Sequence, residues 1–101
     1  MKKIILTFLI LLFSPSLFAD DKMKLGEDIY NNKAMCGTCH SMEAAGSDAQ
    51  IGPNLDMLKP QMPQIVIAVT NGIGVMPSWE GILTSEEIEA VAYYVFTSTS
   101  K

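Results

Sequence analysis

The sequence has no arginine, one histidine (His40), one tryptophan (Trp79) and only two cysteines (Cys36 and Cys39). It also lacks internal repeats, long linkers, low-complexity tracts and any apolar run of the roughly 20 residues that a helix needs to cross a bilayer. Each shortage narrows the answer. Two cysteines allow one disulfide at most, so the chain is not a disulfide-stapled scaffold. Seven lysines against eleven Asp plus Glu give a formal charge of −4, too acidic to neutralise a run of phosphates, which argues against a nucleic-acid partner. A length of 101 residues allows one domain.

What is present begins with an export signature. Lys2 and Lys3 precede the apolar run Ile4 to Phe13, followed by Ser14-Pro15-Ser16 and then Leu17-Phe18-Ala19 before Asp20. That order predicts a signal peptide over residues 1–19, cut after Ala19, and a periplasmic domain over residues 20–101 that is not membrane-anchored. Leu17 is larger than the small residue a signal peptidase prefers three positions before its cut, so an uncleaved tether is the alternative. Residues 20–101 hold five lysines and eleven carboxylates, a formal charge of −6. A domain of this size buries only about 60% of the surface its unfolded chain exposes, and a large buried prosthetic group would supply the missing core.

Local patterns predict an all-α domain of three to four short helices with long loops. Leu25 and Ile29, and Gly26 and Tyr30, repeat at four-residue spacing in a first helix over Met23 to Met35. Ser41 to Gly52 is small, polar and aperiodic and reads as a surface loop. Asn54 to Lys59 suits a short helical turn ended by Pro60. Pro63 suits the first position of the next helix, with Ile65, Val66 and Val69 as its apolar face and Asn71-Gly72 as its stop. The β-branched run Ile65-Val66-Ile67 would also suit a strand, but no neighbouring segment offers a pairing partner. Gly72 to Gly81 holds three Gly and one Pro and reads as an irregular loop. Thr84 and Glu87 then form a capping box, Leu83 and Ile88 a hydrophobic staple, and Ile88, Val91, Ala92 and Val95 one buried stripe of a last helix.

Cys36-Gly37-Thr38-Cys39-His40 is the C-x-x-C-H pattern of covalent c-type haem attachment. Two thiols three residues apart on one turn can add to the two vinyl groups of a single porphyrin, and the next residue then presents its imidazole to the iron. Three other readings each lack something. A thioredoxin-type dithiol would need a β-α-β context. A zinc site would need a fourth ligand beyond two Cys and one His. A plain disulfide across so short a loop would be a weak staple and would leave His40 unexplained. The export signature favours haem, because in bacteria the covalent attachment takes place outside the cytoplasm.

Around that motif stand G-E-D-I-Y (26–30), I-G-P-N-L (51–55), N-G-I-G-V-M-P-S-W (71–79) and E-E-I-E-A-V-A-Y-Y-V (86–95). With these strings, nearly the whole of residues 20–101 resembles the small soluble class I cytochromes c. The resemblance implies a cytochrome c fold wrapped around one haem c, held by Cys36 and Cys39, with His40 and Met76 as the axial ligands of its iron. It implies that the Pro53 carbonyl accepts a hydrogen bond from His40 Nδ1–H and so leaves Nε2 for the iron. Met76-Pro77 stands where the family carries its sixth ligand; the rival pair Met62-Pro63 sits where a helix should begin. Met23, Met35, Met42 and Met57 read as gap-filling or surface residues. Trp79 is placed near the haem edge or a propionate, with ordinary core packing as the alternative. Gly26, Tyr30, Val91 and Tyr94 match the crossing of the family's terminal helices. Within the family, S-M-E-A-A-G (41–46), N-L-D-M-L-K-P (54–60) and G-V-M-P-S (74–78) look like the small cytochromes that serve periplasmic molybdenum sulfite dehydrogenases.

An iron with both His and Met bound has no open position, which disfavours oxygen and peroxide chemistry and leaves one-electron transfer. The expected function is therefore that of an electron carrier, not an enzyme. Its partners would be redox proteins, a dehydrogenase donor and an oxidase or cytochrome acceptor, with no small-molecule substrate. Two alternatives stay open: a cytochrome subunit permanently bound to an oxidoreductase, and, should Met76 not bind, a five-coordinate haem peroxidase or gas sensor.

Overall fold

The structure is a computed structural model that describes residues 16–101; of the predicted signal peptide over residues 1–19, residues 1–15 lie outside the described residues. Among the described residues the α-helices are α1 (Ser16–Asp28), α2 (Leu55–Leu58), α3 (Met62–Asn71) and α4 (Ser85–Thr99). The first helix thus starts before its predicted beginning at Met23, since nothing between Ser16 and Asp20 breaks a helix. It also changes type after Asp28. Ile29–Lys33 form a π-helical turn, closed by a 2.8 Å bond from the Ala34 N–H to the Ile29 carbonyl. The wider turn brings the adjacent residues Ile29 and Tyr30 both fully inside. Among the described residues no helix is long and apolar enough to cross a membrane.

The largest contact between elements is α1 against α4, with α3 packed on α4 next. Gly26 lets the first pair approach: a Cβ there would lie 2.6 Å from Tyr94 Cβ and would collide with the Ala90 carbonyl. Just beyond it the rings of Tyr30 and Tyr94 meet edge to face with centroids 5.6 Å apart. Gly26→Ala is therefore expected to force the helices apart, at a cost of about 2–3 kcal/mol for overpacking against backbone. A thermal melt should show a midpoint about 10 °C or more lower; an unchanged midpoint would mean that the crossing is loose.

Both helix ends of α4 are tied by side chains that the sequence places far away. At its start, Glu87 N–H donates to Thr84 Oγ1 (3.1 Å) and Thr84 N–H to Glu87 Oε1 (2.9 Å), while Lys33 Nζ reaches Glu87 Oε2 at 2.5 Å. The Lys33 ammonium first, and the Thr84 N–H second, hold the Glu87 carboxyl below its ordinary pKa of 4.5. A carboxyl whose folded-state pKa is depressed contributes stability that is present above its unfolded pKa and lost as pH falls through the folded value. Melting temperature should consequently decline on acidification below about pH 4.5, and Glu87→Gln should flatten that decline. A decline of the same steepness in both proteins would assign it to other carboxylates. At the far end, Lys59, in a left-handed conformation (φ 48°) after α2, donates from Nζ to the Thr99 carbonyl at 3.0 Å and so caps the negative end of α4.

Two expectations about the middle of the chain need correction. Ser41 to Gly52 is not a plain loop. It contains a short antiparallel hairpin, β1 (Ser41–Met42) with β2 (Ser47–Asp48), in which Ser41 faces Asp48 and Met42 faces Ser47. Strands of two residues are too short for alternation to show. The hairpin is held by the fully buried Met42 and by Ser41 Oγ donating to the Ala49 carbonyl at 2.7 Å. Pro63 is the second residue of α3, not the first: Met62 begins the helix, and the Gln61 N–H before it donates to Gln64 Oε1 at 3.3 Å. The all-α reading otherwise holds. Ile29, Tyr30, Met42, Leu55, Ile65, Val69, Leu83, Ile88, Val91, Tyr94 and Val95 form one core under the helices.

Candidate functional site

Cys36–Thr38 form a single 3-10 turn, entered through Met35 in a left-handed conformation (φ 52°). The Cys36 carbonyl accepts from both the Cys39 and the His40 N–H, each at 3.1 Å, so the three residues share one hydrogen-bonded turn. Both thiols are free and half-buried. Burial pushes the Cys36 thiol up to about 11, the opposite of the depressed pKa a redox dithiol needs, and this disfavours the thioredoxin-type reading.

His40 is oriented from the neighbouring segment. Its Nδ1 lies 2.8 Å from the Pro53 carbonyl oxygen, and a carbonyl only accepts, so Nδ1 carries the proton and Nε2 keeps a free lone pair. Gly52 makes the approach possible: a Cβ on it would lie 2.6 Å from the ring's Cε1, and its N–H donates to the Cys39 carbonyl at 2.7 Å. The cradle of Gly52 under the imidazole is the main feature the sequence reading missed. The string I-G-P-N-L flagged the segment, but only the folded chain shows which ring the glycine must clear.

Met76 stands on a second anchored segment. Ile73 and Met76 exchange backbone hydrogen bonds (3.1 and 2.8 Å) across a tight turn with Gly74 at φ 57°. The loop then folds back over the end of α3. A Cβ on Gly72 (φ 76°) would lie 2.7 Å from the Met76 carbonyl and 2.9 Å from Pro77. Ser78 Oγ donates to the Thr70 carbonyl at 2.6 Å and the Trp79 N–H to the Val69 carbonyl at 2.9 Å. Met76 and Trp79 both pack half-buried against the core; Met62 does too, but as the first residue of α3.

The residues present fit a haem by the chemistry of their donors. Two thiols on one turn, an imidazole with its outer nitrogen free and a thioether on a rigid loop suit a c-type haem. Zinc lacks a ligand set, because among the described residues no three His, Cys, Asp or Glu side chains come together for a metal ion. Among the described residues nine large hydrophobic side chains are exposed, and seven of them (Ile51, Met57, Leu58, Ile67, Ile73, Val75 and Ile82) lie in residues 51–82. A separate groove of about 580 Å³ between α3 and the start of α4, lined by Val66, Leu83, Ile88, Glu80 and Glu89 among others, includes none of the four donors.

The model of the family described as cytochrome c oxidase, cbb3-type, subunit III matches residues 21–95. A cytochrome c6 of Tetradesmus obliquus is 34% identical over 77% of this chain and 92% of its own length. Another, of Euglena gracilis, is 38% identical over 71% of this chain and 87% of its own. Among solved structures, the c-type cytochrome SorU from Sinorhizobium meliloti is 48% identical and superposes with a TM-score of 0.74, covering 81% of this chain and 95% of that one. The chain therefore belongs to the class I cytochromes c, electron carriers rather than enzymes, each with a single covalently bound haem c.

Proposed function

We propose that Cys36 and Cys39 hold the haem through two thioether bonds, that His40 Nε2 and the Met76 sulfur bind its iron, and that Trp79 packs at its edge. The observation that carries this is the 2.8 Å contact of His40 Nδ1 with the Pro53 carbonyl, which commits the ring to a tautomer whose free nitrogen is the one a metal would take. When bound, the haem supplies the ferric–ferrous couple. The chain supplies rigidity. Gly52 and Pro53 hold His40, and the Gly72 to Trp79 loop holds Met76, by backbone contacts that need not rearrange when one electron enters or leaves.

The partners of such a carrier are redox proteins. We infer that this chain takes electrons from a periplasmic sulfite dehydrogenase, on the strength of its loop strings S-M-E-A-A-G, N-L-D-M-L-K-P and G-V-M-P-S. Residues 1–19 act as the export signal on this reading. A cut after Ala19 would trim only the first turn of α1 and would leave Gly26, Ile29 and Tyr30, which make the helix crossing, in place. Glu43, Asp48, Glu80, Glu86 and Glu89 are exposed on a domain of charge −6, so the donor presents a basic or neutral patch. Sulfite with a sulfite dehydrogenase should reduce the haem in stopped flow. The rate should fall as salt passes about 0.1 M, where the screening length drops to about 10 Å. Reduction by a different dehydrogenase only would move the donor, and rates that rise with salt would show an acidic partner.

A further inference from the structure

The turn that carries Cys36, Cys39 and His40 is held on one flank by Gly52 and Pro53. On the other flank it meets the hairpin. A Cβ on Gly37, inside the C-x-x-C sequence, would lie 2.9 Å from Ser47 Cβ and 3.5 Å from Tyr30 Cε1, so the backbone of the turn rests directly on these two side chains. Their polar atoms are joined as well. Ser47 Oγ lies 3.0 Å from Tyr30 Oη and 3.4 Å from the Met42 carbonyl. The carbonyl can only accept, so Ser47 donates to it and Tyr30 donates to Ser47. Tyr30 is itself closely packed: it is fully buried in the π-helical turn, and its ring meets that of Tyr94 at the helix crossing. A cavity of about 350 Å³ opens beside the turn, lined by Asn31, Met35, Thr38 and Gly46 together with Tyr30 and Ser47.

We propose that Ser47, fixed by the Tyr30 hydroxyl, is a positioning residue that sets where the attachment turn sits and thereby how His40 presents its ring. The inference rests on the haem assignment above. The bolt links the helix crossing to the attachment turn through one hydroxyl pair, and either hydroxyl is dispensable for packing: Tyr30→Phe keeps the ring at the crossing, and Ser47→Ala keeps the Cβ that touches Gly37.

The test uses the full-length holoprotein with Tyr30→Phe, Ser47→Ala and the double variant. The readouts are the proton resonances of the haem methyls in the ferric state, which respond to the orientation of the axial imidazole, and the midpoint potential. Each single variant should shift the methyl resonances in the same direction and move the potential. The double variant should shift them no further than a single one, because the same bond is lost once. Unchanged resonances and potential with only a lower melting temperature would overturn the proposal and leave the pair a structural contact. Shifts that add in the double variant would overturn it too, since the two hydroxyls would then act apart. Failure of the wild-type chain to bind haem covalently would be seen before any substitution and would overturn the haem assignment itself.

Discussion

Replacing Cys36 and Cys39 together with Ala is expected to leave haem that acidified organic solvent extracts completely, because both thioether bonds are gone. A larger effect follows on folding. In a domain this small the free energy of binding the prosthetic group is in large part folding free energy. Seven large apolar residues between Ile51 and Ile82 are exposed, and the two segments that carry Pro53 and Met76 are loops held by backbone contacts. The haem-free double variant should therefore show no cooperative thermal transition in circular dichroism. Covalent haem surviving in the variant would refute the attachment, and a cooperative melt of the haem-free chain would refute the claim that haem completes the core.

Met76→Ala should abolish the weak long-wavelength sulfur-to-iron absorption of the ferric protein and open the iron to carbon monoxide and peroxide. Met62→Ala should do neither. The prediction separates two residues that burial does not separate, since both are half-buried against the same core. What distinguishes them is the backbone. Met62 is the first residue of a ten-residue helix, whereas Met76 sits in a turn pinned from both sides by Ile73, Gly72 and the end of α3. Carbon monoxide binding by the wild-type protein would revive the five-coordinate alternative. Loss of the band on Met62→Ala would move the ligand and with it the reading of α3.

Legibility in the sequence followed the range of the interactions. The start of α4 was readable residue by residue, because Leu83, Thr84, Glu87 and Ile88 make a cap and staple within six positions, and the structure has the cap's hydrogen bonds. The stop of α3 at Asn71-Gly72 was readable for the same reason. Features that depend on distant partners were not. The hairpin of Ser41 to Asp48 has two-residue strands with no pattern of their own. The π-helical turn after Asp28 leaves no periodic mark, and only the joint burial of Ile29 and Tyr30 explains it. At the site, the C-x-x-C-H spacing announced the chemistry. The roles of Gly52 under the His40 ring, of Gly72 under the Met76 backbone and of Ser47 against Gly37 are contacts between segments, visible only once those segments have met.

The central claim is that one haem is bound covalently to this chain. The most direct measurement is the intact mass of the purified holoprotein after extraction with acidified organic solvent, which strips any haem held by ligation alone. The account predicts the mass of the polypeptide plus one haem, with the haem absorbance remaining in the protein fraction; the mass of the bare polypeptide, with the haem gone into the solvent, would contradict it.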